Sequence, residues 1–92
     1  MTIYQNFIGI DIGKFNFVVF SNNKTTTDEY ENSANGIKKF IDGYKDILPD
    51  ALCVLETTGG YELDLLYTLC NNSFDVHRAD TRKVKYFIKS LG

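Results

Sequence analysis

The 92-residue sequence predicts one α/β domain, spanning residues 1–92, with a mixed five-stranded sheet in the order 3-2-1-4-5. Two observations lead to this prediction. Three strand-like segments joined by short polar turns open the chain, which is typical of an antiparallel meander. Helical and strand-like segments then alternate, which is typical of parallel strands joined by helices. The element order is therefore predicted as βββαβαβα, with the fourth strand beside the first and parallel to it.

The meander is predicted from three stretches of different character. Residues 7–12 are apolar apart from Asp11, a composition typical of a strand buried on both faces. Residues 15–20 are rich in aromatic and β-branched side chains, which favour strands. Residues 25–31 are almost entirely polar, which indicates a strand at the edge of the sheet.

The second half of the chain is predicted from changes in hydrophobic period and from helix caps. In chain order, the predicted elements are a helix capped by Asn32 or Ser33, a buried strand over residues 51–56, a helix closed by residues 71–73, a strand over residues 74–79 and a last helix capped by Asp80 or Thr81.

Composition and charge narrow the class of protein. The chain is 43% hydrophobic and 24% charged and has one proline, so disorder is not indicated. A net charge of −2 argues against a wholly basic nucleic-acid coat but leaves local basic patches open. No apolar run is long enough to span a bilayer and no signal-peptide pattern is present, so we predict a cytoplasmic protein without membrane association. Cys53 and Cys70 lack metal or disulfide spacing and are predicted to be buried, reduced thiols.

Asp11 and Glu56 are the candidate catalytic and metal-binding residues, because each is the single acid in an apolar strand. A carboxylate buried in such a strand needs a hydrogen bond, a counter-charge or a metal ion. For Asp11 the alternative is that it accepts backbone hydrogen bonds from the turn at Gly13. If the first and fourth strands are parallel neighbours, both acids reach the same sheet edge, where open α/β sheets place their sites.

Two carboxylates that close repel each other unless a cation lies between them. Oxygen ligands suit Mg²⁺ or Mn²⁺. The pair therefore predicts a divalent-metal site, and two separate structural roles are the alternative.

Weaker signals indicate contact with nucleic acid. Thr57 and Thr58 precede a helix, so their N–H groups could face a phosphate, or they simply begin the helix. Lys14 could contact a DNA backbone or be a solvated turn residue, and Tyr61 is expected to anchor the helix. The concentrated basic stretch, which could equally be a solvated helix face, consists of Arg78, Arg82, Lys83, Lys85 and Lys89.

Three segments resemble the N-terminal domain of the DEDD transposases of the insertion sequence one-ten type. They are residues 8–14, 56–62 and 84–92, and the run at residues 56–61, Glu-Thr-Thr-Gly-Gly-Tyr, is the most specific of them. The resemblance covers essentially the whole chain. It implies an RNase H-like (RuvC-like) fold, consistent with the predicted sheet order.

The resemblance also implies a function. Proteins of this family are prokaryotic DNA recombinases guided by a bridge RNA, and four acidic residues hold two Mg²⁺ or Mn²⁺ ions. Asp11 matches the first acid and Glu56 the second, while the third and fourth follow the segment that matches Ser90-Leu91-Gly92. The 92-residue chain is therefore expected to bind metal weakly or not at all and to be inactive alone. We also expect homo-oligomerisation through an apolar strip near Phe7, Ile12, Phe87 and Leu91.

Two other classes of function remain open. The run Gly9-Ile10-Asp11-Ile12-Gly13 also resembles the first phosphate-binding hairpin of the sugar-kinase/actin ATPases. Those proteins usually follow the aspartate with glycine and a small hydroxyl residue, whereas Lys14 and Phe15 are bulky. A protein-interaction module without catalysis is the third possibility.

Overall fold

The computed structural model describes residues 4–56 and 59–79. In chain order the elements are β1 (Asn6–Ile12), β2 (Asn16–Ser21), β3 (Asp28–Glu31), α1 (Ala34–Tyr44), a 3-10 turn (Leu48–Asp50), β4 (Ala51–Glu56), α2 (Leu63–Asn71) and β5 (Asp75–Ala79). The predicted last helix lies outside the described residues.

The strands form one mixed sheet in the order β3-β2-β1-β4-β5, which confirms the predicted order. β1 pairs with β2, and β2 with β3, in antiparallel fashion, as expected for a meander. β4 lies parallel to β1 on one side and to β5 on the other. The carboxyl ends of β1, β4 and β5 therefore meet at one edge of the sheet.

The strand bounds lie within one residue of the prediction except at β3. β3 begins at Asp28 rather than at residue 25, because its pairing with β2 stops at the partners Val19 and Asp28. The threonines before Asp28 have strand propensity, but no ladder extends to them. Of the two predicted caps of α1, Ser33 is the one used, and its Oγ accepts a hydrogen bond from the N–H of Gly36 at 3.1 Å.

The hydrophobic core lies between α1, α2 and one face of the sheet, which we call the helix face. Successive side chains of a strand point to opposite faces. Ile8, Ile10 and Ile12 of β1 all join the core on the helix face. The prediction that β1 is buried on both faces is wrong at Asp11, which lies on the opposite face and is exposed.

Ile12 does not belong to an exposed apolar strip, because it is only 4% exposed and packs in the core. Phe7 is half-buried. Phe87 and Leu91, the other expected members of that strip, lie outside the described residues.

α1 approaches β3 so closely that one position tolerates only glycine. A Cβ atom on Gly36 would overlap the carbonyl group of Glu31. Because that carbonyl belongs to the backbone of β3, it cannot swing aside as a flexible side chain would. Gly36 thus sets the distance between the first turn of α1 and the edge strand.

The two cysteines occupy different environments. Cys53 is fully buried in the core, as predicted, and burial raises the pKa of its thiol to about 12. The same prediction is wrong for Cys70, which is exposed. The reason is the helical period, since Leu69 of α2 points into the core and the next residue points away from it.

Among the described residues, no helix is long and apolar enough to cross a membrane.

Candidate functional site

Asp11 and Glu56 lie side by side at the carboxyl ends of neighbouring parallel strands. In the ladder between β1 and β4, Ile10 stands opposite Leu55. The next residue on each strand is a carboxylate, and neighbouring strands lie roughly 5 Å apart. Since Ile10 and Leu55 both face the helices, alternation places Asp11 and Glu56 together on the opposite face.

Glu56 is held against the strand that carries Asp11. Its side chain is 4% exposed, and its Oε1 accepts a hydrogen bond from the backbone N–H of Ile12 at 3.1 Å. Ile12 directly follows Asp11 in β1. This buried bond therefore fixes the Glu56 carboxylate next to the end of β1.

The carboxylate of Asp11 is exposed, and among the described residues no hydrogen bond or ion pair holds it. The turn that follows satisfies its own amide, because the N–H of Gly13 donates to the carbonyl oxygen of Asn16 at 2.9 Å. The alternative interpretation, in which the Asp11 side chain accepts backbone hydrogen bonds from the turn at Gly13, is therefore wrong. The short side chain projects from the end of a strand, where water can reach it.

The donor chemistry of this pair fits a hard divalent cation. Both groups are carboxylates, which Mg²⁺ and Mn²⁺ prefer. Within the described ranges, no group of three or more histidine, cysteine or acidic side chains could hold a metal ion. Asp11 and Glu56 could thus supply two ligands of a site that needs further oxygen donors.

Glu62 is a buried carboxylate that the sequence reasoning did not single out. It precedes α2, is 2% exposed, and its Oε2 is buried with no hydrogen-bond partner in the part of the chain that the structure describes. A buried polar atom without a partner costs folding free energy. The sequence showed only an acid at the start of a helix, a common position for a solvated one.

Asn32 joins the segments that follow β1 and β4. Its Nδ2 donates to the carbonyl oxygen of Gly13 at 3.1 Å and to that of Tyr61 at 2.9 Å. Its backbone N–H donates to the carbonyl oxygen of Phe15 at 2.7 Å. The sequence predicted Asn32 only as a possible helix cap, because these three bonds cross between distant segments.

Two exposed aromatic rings and one cation occupy the segments that Asn32 joins. Phe15 is 71% exposed and Tyr61 44% exposed. The Nζ atom of Lys14 lies 5.3 Å from the centre of the Phe15 ring. Lys14, Phe15 and Tyr61 are referred to below as the aromatic edge.

The turn that presents Tyr61 depends on glycine. Gly59 and Gly60 have φ angles of 57° and 84°, a region that residues with a Cβ atom adopt only at a cost. The Tyr61 ring lies beside Gly59. Tyr61 was expected to anchor the helix, yet much of its ring is exposed.

Of the other predicted nucleic-acid contacts, Arg78 is the one within the described residues, and it does not lie on this face. Arg78 is exposed and pairs in register with Leu55, so alternation puts it on the helix face, away from Asp11 and Glu56. The remaining predicted contacts lie outside the described residues, and these are Thr57, Thr58, Arg82, Lys83, Lys85 and Lys89.

No protein-family model matches the chain, and no curated protein matches it. The fold and the site define a class: an α/β protein with a five-stranded mixed sheet and two adjacent carboxylates at the carboxyl ends of its parallel strands.

Proposed function

We propose that this chain is the N-terminal RNase H-like part of a DEDD-type transposase and acts in DNA transposition and recombination. The observation that carries the proposal is the adjacency of Asp11 and Glu56 on one face of the sheet, at the carboxyl ends of β1 and β4. The sheet order and the resemblance of residues 8–14 and 56–62 support it further. DNA and a guide RNA are the proposed partners, and homo-oligomerisation remains part of the proposal.

In the complete enzyme, Asp11 and Glu56 would hold Mg²⁺ or Mn²⁺. Bound there, the ion would act as a Lewis acid on a phosphoryl oxygen. The residues of this chain contribute by position. The N–H of Ile12 holds one oxygen of Glu56, and the exposed carboxylate of Asp11 is open to a ligand. Cleavage of a DNA strand by two metal ions needs more ligands than this pair supplies, so we expect the 92-residue chain to have no nuclease activity alone.

Paramagnetic broadening by Mn²⁺ in the NMR spectrum tests the metal site. We expect the amide signals of residues 11–13 and 55–56 to broaden first in the wild-type chain. Asp11→Asn and Glu56→Gln each remove one ligand charge and should weaken that broadening several-fold at equal Mn²⁺ concentration. Asp64→Asn is the matched control, because Asp64 is an exposed aspartate on α2.

Broadening that persists unchanged in both ligand variants, or that is centred elsewhere, would contradict the metal site.

A plasmid-nicking assay tests the expectation that the 92-residue chain has no nuclease activity alone. Robust Mg²⁺-dependent nicking by the 92-residue chain, abolished by Asp11→Ala, would show that these two acids suffice. Saturable ATP binding at residues 9–15 would instead support the sugar-kinase/actin type of function.

A further inference from the structure

We propose that the aromatic edge binds unpaired bases of single-stranded DNA next to Asp11 and Glu56. This inference rests on the proposed function. It adds that the DNA bound beside the candidate metal site is single-stranded, with its bases unpaired and unstacked from each other. Its chemistry is stacking of nucleobases on Phe15 and Tyr61, with Lys14 at the rim.

Exposure is the first argument. Among the described residues, three large hydrophobic side chains are exposed, and all three are aromatic: Phe15, Tyr61 and Tyr67. Two of them belong to the aromatic edge. A flat ring offers a face to any base, and stacking of this kind stabilises single-stranded complexes without regard to sequence.

The rings are carried on backbone that is already fixed. Asn32 bonds to the carbonyl oxygens of Phe15 and Tyr61, and it also holds that of Gly13. The two segments that follow the candidate metal ligands are thus tied to each other before any ligand arrives. Preorganised backbone reduces the entropy lost on binding, so each stacking contact contributes more to affinity.

Charge favours bases over phosphates at this surface. Lys14 is the cation of the aromatic edge, and Asp11 and Glu56 lie nearby with negative charge. A duplex presents its phosphates and buries the faces of its bases, so it matches this surface poorly. An unpaired strand can place its uncharged bases on the rings, with one phosphate near Lys14.

Binding of a fluorescent single-stranded DNA of about 12 nucleotides, measured by anisotropy with EDTA present, tests the inference. Phe15→Ala should weaken binding by about 5- to 150-fold, the range that corresponds to the loss of one stacked base. Phe15→Trp should retain the affinity. The loss caused by Phe15→Ala should be the same at low and high salt because stacking carries no charge, whereas the effect of Lys14→Ala should shrink as salt rises.

Tyr67→Ala is the matched control, since Tyr67 is an exposed aromatic in the second turn of α2 and should leave affinity unchanged. The same oligonucleotide with abasic sites keeps its phosphates but loses the bases for both rings, so it should bind wild-type protein at least as weakly as the intact oligonucleotide binds Phe15→Ala. Equal affinity for abasic and intact strands, tighter binding of a matched duplex, or tighter binding of the equivalent RNA would each overturn the proposal. Because EDTA removes the metal, such a failure would leave the Mn²⁺ result at Asp11 and Glu56 standing.

Discussion

Asp11 and Glu56 are neighbours in the sheet but differ in what surrounds them. The Glu56 carboxylate is buried and accepts the N–H of Ile12. Asp11 projects into solvent. A buried acceptor contributes to folding, because its loss leaves a backbone donor without a partner. A solvated carboxylate contributes little to folding and is open to a ligand. The two acids of the candidate site are therefore expected to affect stability unequally.

Replacement of Glu56 should separate its structural role from its proposed metal-binding role. Glu56→Ala leaves the N–H of Ile12 unpaired and should reduce the free energy of unfolding by about 1–3 kcal/mol. Glu56→Gln keeps an oxygen acceptor and should cost less. Asp11→Ala serves as the control and should change stability by less than about 0.5 kcal/mol. Urea unfolding followed by circular dichroism measures all three. A larger loss for Asp11→Ala than for Glu56→Ala would refute this difference.

At the scale of elements, α1 is fastened to the edge strand at both ends. Ser33 caps its start, and Gly36 allows the first turn to approach β3. At the other end, the hydroxyl of Tyr44 donates to Oδ2 of Asp28 at 2.6 Å. Lys24 reaches the same oxygen at 3.0 Å. The short strand β3 thus owes its position to the helix as much as to its ladder with β2.

The Tyr44–Asp28 hydrogen bond makes stability depend on pH. The bond from Tyr44, and then that from Lys24, lowers the pKa of Asp28 below its ordinary value of 3.8. A carboxylate with a lowered pKa in the folded state stabilises the fold above its unfolded pKa, and this contribution is lost as pH falls through the folded pKa. Tyr44→Phe removes the largest cause of the lowered pKa. The variant should be less stable than wild type near neutral pH, and the difference should shrink below pH 3.8.

Urea unfolding across the acid range measures this convergence. Burial, together with the bond to Asp28, also raises the pKa of Tyr44. Wild type should therefore lose stability relative to Tyr44→Phe above the ordinary tyrosine pKa of 10.0 as well. Tyr67→Phe removes the hydroxyl group of an exposed tyrosine and should leave stability unchanged at both acid and alkaline pH. If the free energies of unfolding of wild type and Tyr44→Phe differ by the same amount at all pH values, the Tyr44–Asp28 bond is not the cause of the pH dependence.

At the scale of the whole molecule, burial is concentrated on the helix face of the sheet. The cluster between sheet and helices contains side chains from β1, β2, β4, α1 and α2. Cys53 of β4 lies within it and is completely buried. No local opening of a single loop would expose this thiol, because elements from both halves of the chain cover it. Cys53 therefore reports on global unfolding.

The two thiols should react with a thiol-specific disulfide reagent at very different rates. Cys70 is exposed and should react quickly. Burial raises the pKa of Cys53 to about 12, so the reactive thiolate is scarce in the folded state. If the free energy of unfolding is at least about 5 kcal/mol, Cys53 should react more than about 1,000-fold more slowly. Cys70→Ser should remove the fast phase and leave the slow one. Two fast phases in the absence of denaturant would show that the core opens locally.

The local pattern of the sequence was enough to predict most of the elements and the sheet order. β4 was predicted at its observed bounds, because an apolar run ending in Glu56 lies between two turn signals. The order 3-2-1-4-5 followed from an antiparallel meander and the geometry of parallel crossovers. Adjacency of Asp11 and Glu56 followed in turn, since each acid lies near the carboxyl end of one of two neighbouring parallel strands. These features depend on short-range periodicity, which a single sequence contains.

The tertiary structure decided the features that depend on distant contacts. The sequence did not show that Glu56 is buried and bonded to Ile12 while Asp11 is exposed, because both patterns look alike along the chain. It did not show that Asn32 bonds to Gly13, Phe15 and Tyr61. Each of these bonds joins residues that the sheet and α2 bring together only after folding. The periodicity of nearby residues determines whether a residue lies in a helix or a strand, and a single sequence contains that information. Packing between elements determines which side chains a residue contacts, and a single sequence does not show it.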